Sequence, residues 1–75
     1  MEDINPQKYI GRFINEWRGR TVQIYEHEDP TKVVTVGTPL TGGTPIICIE
    51  NRSDYTATLQ RIKDAEDNGK IYVFK

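Results

Sequence analysis

Cysteine is nearly absent from this 75-residue chain, with Cys48 standing alone. One cysteine closes no intramolecular disulfide and no cysteine zinc cage. A lone thiol fits a reducing cytosol better than a secreted scaffold. Histidine is just as scarce, with only His27, so no histidine pair can share a metal. No apolar run approaches the roughly 20 residues of a membrane span, and no membrane partner is expected. The opening Met1-Glu2-Asp3 lacks the apolar stretch of a signal peptide, and the chain reads as a complete small product. Charge of one sign is missing too. Residues 1–25 carry four basic and three acidic side chains, residues 26–50 one and four, and residues 51–75 five and four. A net charge of -1 argues against both a strongly basic nucleic-acid binder and an acidic DNA mimic.

What remains is an ordinary folding composition. With 36% hydrophobic and 28% charged residues, the chain is too apolar and too evenly charged for disorder. It is short enough to bury only about 60% of its unfolded surface, so modest stability is expected and association would supplement it.

Residues 6–18 carry Tyr9, Ile10, Phe13, Ile14 and Trp17 at a spacing that predicts one apolar stripe of a helix. Asn5 would cap it, Pro6 would occupy its first position, Ile4 would staple against Tyr9, and Gly19 would end it. Residues 20–26 alternate as a strand. Asp29-Pro30 marks a turn, and Lys32–Val36 a second strand. Gly37–Pro45, with its glycines and prolines, reads as a long hairpin loop. Pro45–Glu50 is apolar enough to predict a central or well-covered strand. Ser53 would cap a second helix over residues 54–67, ended by Asn68-Gly69. Ile71–Phe74 forms the last strand.

The expectation is a single small α+β domain over residues 1–75 in the order α-β-β-β-α-β. It would hold a four-stranded, mostly antiparallel sheet with two helices packed mainly on one face. A crossover into the last strand suggests the strand order 3-2-1-4. The α-β-β-β-α order resembles a double-stranded-RNA-binding domain in element order only. That family opens its second helix with a basic cluster, where this chain has Ser53-Asp54-Tyr55-Thr56, and the strand after the helix is an addition.

Ile71-Tyr72-Val73-Phe74 is apolar on both faces, which calls for cover on both sides of the sheet. Parity assigns Val22, Ile24, Val34, Val36, Ile71 and Val73 to a core face. Thr21, Gln23, Tyr25, Val33, Thr35, Tyr72 and Phe74 then form a mixed, aromatic face suited to a protein partner. Strand 45–50 has no resolvable parity.

No catalytic set assembles. His27 sits among Glu26, Glu28 and Asp29 in what reads as a solvated turn. Cys48 lies in an aliphatic strand and reads as a buried thiol without a base. The Gly-Thr-Pro loop lacks the Gly-Lys-Ser/Thr ending of a phosphate loop. Asp64, Glu66 and Asp67 are interspersed with Arg61 and Lys63 on a polar helix face. The expected function is therefore a small non-enzymatic interaction protein of the cytoplasm. It would be a regulator or inhibitor of bacterial or phage accessory type, docking on a larger protein or on itself without metal or cofactor. Tyr25, Val33, Tyr72 and Phe74 would anchor the partner, flanked by Glu26, Glu28, Asp29 and Leu40. The alternative is a nucleic-acid contact strip of Lys8, Arg12, Arg18 and Arg20.

Overall fold

The computed structural model describes residues 8–75. Five strands and one helix follow in the order β1 (Tyr9–Asn15), β2 (Arg20–Glu26), β3 (Lys32–Pro39), β4 (Ile46–Asn51), α1 (Thr56–Asp67) and β5 (Tyr72–Phe74). A single 3-10 helical turn, Arg52–Tyr55, leads into α1. The strands make one sheet in the order β4-β3-β2-β1-β5. Neighbours run antiparallel except β1 and β5, which are parallel. The expected two helices on a four-stranded antiparallel sheet are thus corrected to one helix on a five-stranded mixed sheet. The order 3-2-1-4 fails for the same reason. The last strand lies beside Tyr9–Asn15, not beside Arg20–Glu26.

The stretch expected to be the first helix is a strand where it is described, over Tyr9–Asn15. Its apolar residues fit either period locally. Gly11 in a helix interior is unfavourable, and β-branched and aromatic residues suit a strand at least as well. Tertiary pairing then decides, because β1 hydrogen-bonds to both β2 and β5. The cap and staple expected from Ile4, Asn5 and Pro6 lie outside the described residues. With a strand over Tyr9–Asn15 and no opening helix among the described residues, the likeness in element order to a double-stranded-RNA-binding domain disappears.

Three turns have legible local causes. Asn15 Oδ1 accepts the Arg18 backbone N–H at 3.1 Å, and Gly19 takes φ 62°, a conformation cheap only for glycine. Asp29 Oδ1 accepts the Thr31 N–H at 2.9 Å and its hydroxyl at 2.7 Å, the self-closing turn that aspartate favours. At the end of α1, Gly69 N–H donates to Glu66 O at 3.0 Å and Lys70 N–H to Ala65 O at 2.8 Å. With Gly69 at φ 73° this is a Schellman cap. The 37–45 loop is shorter than expected because β3 runs on through Pro39. The β3–β4 ladder ends at Gly37↔Ile46, so Pro39 forfeits no ladder bond on that side.

The core lies between the sheet and α1. Phe13, Val22, Ile24, Val33 and Ile62 are buried there, with Ile10, Tyr55, Leu59 and Tyr72 packed around them. Tyr55, Leu59 and Ile62 recur at helical spacing, so one face of the turn-and-helix unit covers the sheet. Gly11 lies directly beneath Ile62. The absent side chain there sets how closely helix and strand approach.

The expected division of faces is also corrected. β2 and β3 pair as Val22↔Gly37, Ile24↔Thr35 and Glu26↔Val33. Val33 and Thr35, not Val34 and Val36, therefore join Val22 and Ile24 under the helix. On β5, Tyr72 pairs with Phe13 and Val73 with Ile14. The Tyr72 and Phe74 rings approach Phe13 at 6.3 Å each, on the core side. Val73 turns to the other face. Turn length and strand neighbours set these relations, and parity within one strand carries neither.

Candidate interaction surfaces

The sheet face opposite α1 has no cover among the described residues. Its layout follows from the pairing register. One cross-strand row reads Ile49, Val34, Tyr25, and the next reads Ile47, Val36, Gln23, Arg12. A third reads Thr38, Thr21, Ile14, Val73. The contiguous apolar patch is therefore Ile47, Ile49, Val34, Val36 and Tyr25, towards the β4 edge. Gln23, Arg12 and two threonines separate it from Ile14 and Val73. Ile47 and Ile49 are 55% and 60% exposed. The expectation that residues 45–50 form a central or covered strand is corrected: β4 is the edge, and α1 passes over the opposite side of the sheet. The Tyr9 ring meets that of Tyr25 edge-on at 5.4 Å and closes one end of the patch.

On the helix side, a cavity of about 520 Å³ opens between the start of the helical segment, β4 and the β1–β2 turn. Phe13, Val22, Ile46, Cys48, Tyr55 and Arg20 line it. Cys48 is exposed, against the expectation of a buried thiol, because the helix does not reach the edge strand. The Arg20 side chain lies over Gly37, and its Nε is buried with no hydrogen-bond partner among the described residues. Burial raises the Tyr55 hydroxyl above its ordinary pKa. Glu50 and Cys48 add to that rise, and Arg20 and Arg18 oppose it. At the mouth, Trp17 is 70% exposed, and the Arg18 guanidinium sits 4.7 Å from its ring centroid, a cation–π pair.

The residues singled out from sequence do not come together. Tyr25 belongs to the open face, while Val33 is fully buried beneath the helix. Tyr72 and Phe74 lie on the helix side, with Phe74 at the cavity. Among the flanking set, Glu26 pairs with Arg52. Glu28 and Asp29 are exposed in the β2–β3 turn. Leu40 is exposed at the opposite end of β3, where its N–H reaches Gly19 O at 2.9 Å. The basic residues also divide: Arg12 sits on the open face and Arg20 in the cavity. Lys8 adjoins the end of β2 through its carbonyl, which accepts the Glu26 N–H at 2.8 Å, and Arg18 lies in the β1–β2 turn. His27 Nδ1 accepts the Asp29 N–H at 2.9 Å. Among the described residues no three histidine, cysteine, aspartate or glutamate side chains converge on a metal position. No described helix is long and apolar enough to cross a membrane.

Sequence reasoning missed Ile47 and Ile49 as exposed residues, and Val34 and Val36 as half-buried residues of the open face. The available signal was a mismatch of supply: apolar residues on both faces of several strands, and too little helix to cover both. No family model matches the chain, no curated protein is significantly similar to it, and no solved structure matches its fold.

Proposed function

We propose that this protein works by non-covalent protein association, and that its uncovered sheet face docks a second copy of the same chain. The aliphatic patch of exposed Ile47 and Ile49 beside half-buried Val34 and Val36 carries this reading. Exposed aliphatic surface gathered in one place is unfavourable in water and marks an interaction site. The patch contains no charge, and a net charge of -1 puts little repulsion between copies. Five strands about 4.8 Å apart, each about six residues at about 3.3 Å, span a face of roughly 24 by 20 Å. With its rim, such a face approaches the roughly 600–800 Å² per partner of a small specific interface. Two such sheets stacked about 10 Å apart would form a sandwich. Association of this kind suits a non-enzymatic regulator, since it leaves the helix side free.

Ile49→Lys tests the surface. A half-exposed isoleucine contributes about 1 kcal/mol when fully covered. The twofold axis counts it twice, so dimerisation should weaken at least about 30-fold. Sedimentation equilibrium over a wide concentration range should show a reversible dimer for the native chain and a folded monomer for the variant. A native chain that stays monomeric throughout refutes the second copy as occupant. A variant that dimerises as well as the native chain refutes the face.

A further inference from the structure

We propose that the outer edge of β4 docks an extended segment of another protein, which joins the sheet as a sixth strand and carries a basic residue opposite Glu50. The contact is made through backbone groups at the sheet's rim, so it does not depend on self-association of the open face.

The pairing pattern shows which backbone groups are free. In an antiparallel ladder, opposed residues alternate between pairs that exchange both hydrogen bonds and pairs that exchange none. Continuing the β3–β4 register by one pair, the Arg52 N–H donates to Thr31 O at 2.8 Å. Glu50↔Val33, Cys48↔Thr35 and Ile46↔Gly37 are therefore the bonded pairs. On the other side of β3, the Leu40 N–H donates to Gly19 O at 2.9 Å, which directs Thr38, Val36 and Val34 to β2. The two patterns interlock. The N–H and C=O groups of Ile47, Ile49 and Asn51 are left pointing outward from β4, and no described strand lies beyond them. A row of donors and acceptors that repeats every second residue, at roughly 6.7 Å, is matched by another extended backbone.

Edge strands are usually blunted by proline, lysine, a bulge or a cover. Ile46–Asn51 holds no proline or lysine, and its register against β3 runs without a bulge. Among the described elements only β3 and the 3-10 turn lie beside it. Ile46, Ile47 and Ile49 are each more than half exposed, and an added strand would shield them on both faces. Charge then selects the segment. Glu50 shares the helix side with Ile46 and Cys48, and its partner in β3 is the apolar Val33. Arg52, two residues on, is engaged by Glu26, and Arg20 lies two strands in, over Gly37. Asp54 adds a second negative charge on the same side. A basic residue opposite Glu50 is thus favoured and an acidic one disfavoured.

The probe is the peptide acetyl-Ser-Lys-Val-Thr-Val-Leu-Ser-amide. Run antiparallel, it sets its lysine against Glu50, its valines against Ile49 and Ile47, and its leucine against Ile46. In the free full chain, labelled with 15N, amide exchange should be fast at Ile47 and Ile49 and slow at Cys48 and Glu50. The peptide should give saturable shifts along β4 and slow the exchange at Ile47 and Ile49. N-methylation of both valines should weaken binding about tenfold or more, because the hydrogen bonds facing β4 are lost. Glutamate in place of the lysine should weaken it about threefold or more, and Glu50→Lys should reverse that preference. No saturable shift, full binding of the N-methylated peptide, or an unchanged preference in Glu50→Lys would each overturn the proposal. Protection of Ile47 and Ile49 that grows with the concentration of the free chain would also overturn it, by giving the edge to a second copy. Glu50 lies off the open face, so Glu50→Lys should self-associate as the native chain does, and edge and face fail separately.

Discussion

Adding one methyl group at Gly11 should measurably loosen the helix from the sheet. Gly11 is buried in β1, and a Cβ built there falls well inside contact distance of Ile62 Cγ2, with Glu66 Oε1 at 3.4 Å. Ile62 is fully buried, and its branched Cβ holds Cγ2 rigidly over the strand. The clash cannot be relieved by swinging a flexible tip, so α1 must shift. Overpacking of this kind costs about 1–3 kcal/mol. Alanine also restricts the unfolded chain, which returns about 0.4–1 kcal/mol where the backbone conformation suits both residues. Gly11 does not have a positive φ, so that gain applies. The net expectation for Gly11→Ala is a loss of about 1–2 kcal/mol, or a fall in Tm of very roughly 4–16 °C for a domain of this size.

The sharper test pairs it with Ile62→Leu. Leucine is unbranched at Cβ and vacates the Cγ2 position at nearly constant volume, a swap that alone costs under about 1.5 kcal/mol. The double variant should be more stable than additivity predicts, with a coupling of about 0.5–2 kcal/mol. Urea unfolding followed by far-UV circular dichroism measures all four corners of the cycle. Strict additivity, or a Gly11→Ala variant as stable as the native chain, would refute the close contact of helix and strand on which the core depends.

Two further outcomes follow from local geometry. Hydrogen bonds from the Thr31 backbone N–H and hydroxyl hold the Asp29 carboxyl below its ordinary pKa. A lowered folded-state pKa gives stability that is complete above about pH 4 and is lost as the pH falls through the folded value. Thr31→Val keeps the backbone donor and removes the hydroxyl, so carbon-detected NMR should find the Asp29 midpoint moved part of the way back up; no movement refutes the hydroxyl's share. Gly69 caps α1 at φ 73°, where an L side chain costs about 1–2 kcal/mol. Gly69→Ala should lower stability by about that amount and Gly69→D-Ala should not; equal effects from the two alanines would remove the left-handed cap as the cause.

The sequence itself determined those elements whose signal is contained in neighbouring residues. Arg20–Glu26 alternates and is a strand with those same limits. Asp29-Pro30 turns because an aspartate side chain can close its own turn. The second helical segment, expected over residues 54–67, is a 3-10 turn and helix ending at Asp67, where Asn68 and Gly69 supply the cap. Covalent spacing is enough for such features, since each depends on contacts a few residues apart.

Tertiary structure decided the rest. Tyr9–Asn15 fits two periods, and only its pairing with β2 and β5 makes it a strand. Which half of β3 and of β5 faces the helix depends on register against a neighbouring strand, and a one-residue slip exchanges the faces. The same holds for the candidate surfaces. Ile47 and Ile49 are exposed because β4 is the edge strand and the helix covers the opposite face. The Arg20 side chain lies over Gly37, a residue distant in sequence that only strand pairing brings beneath it. Periodicity states how a segment alternates; its hydrogen-bonded neighbours determine which side of that alternation reaches water.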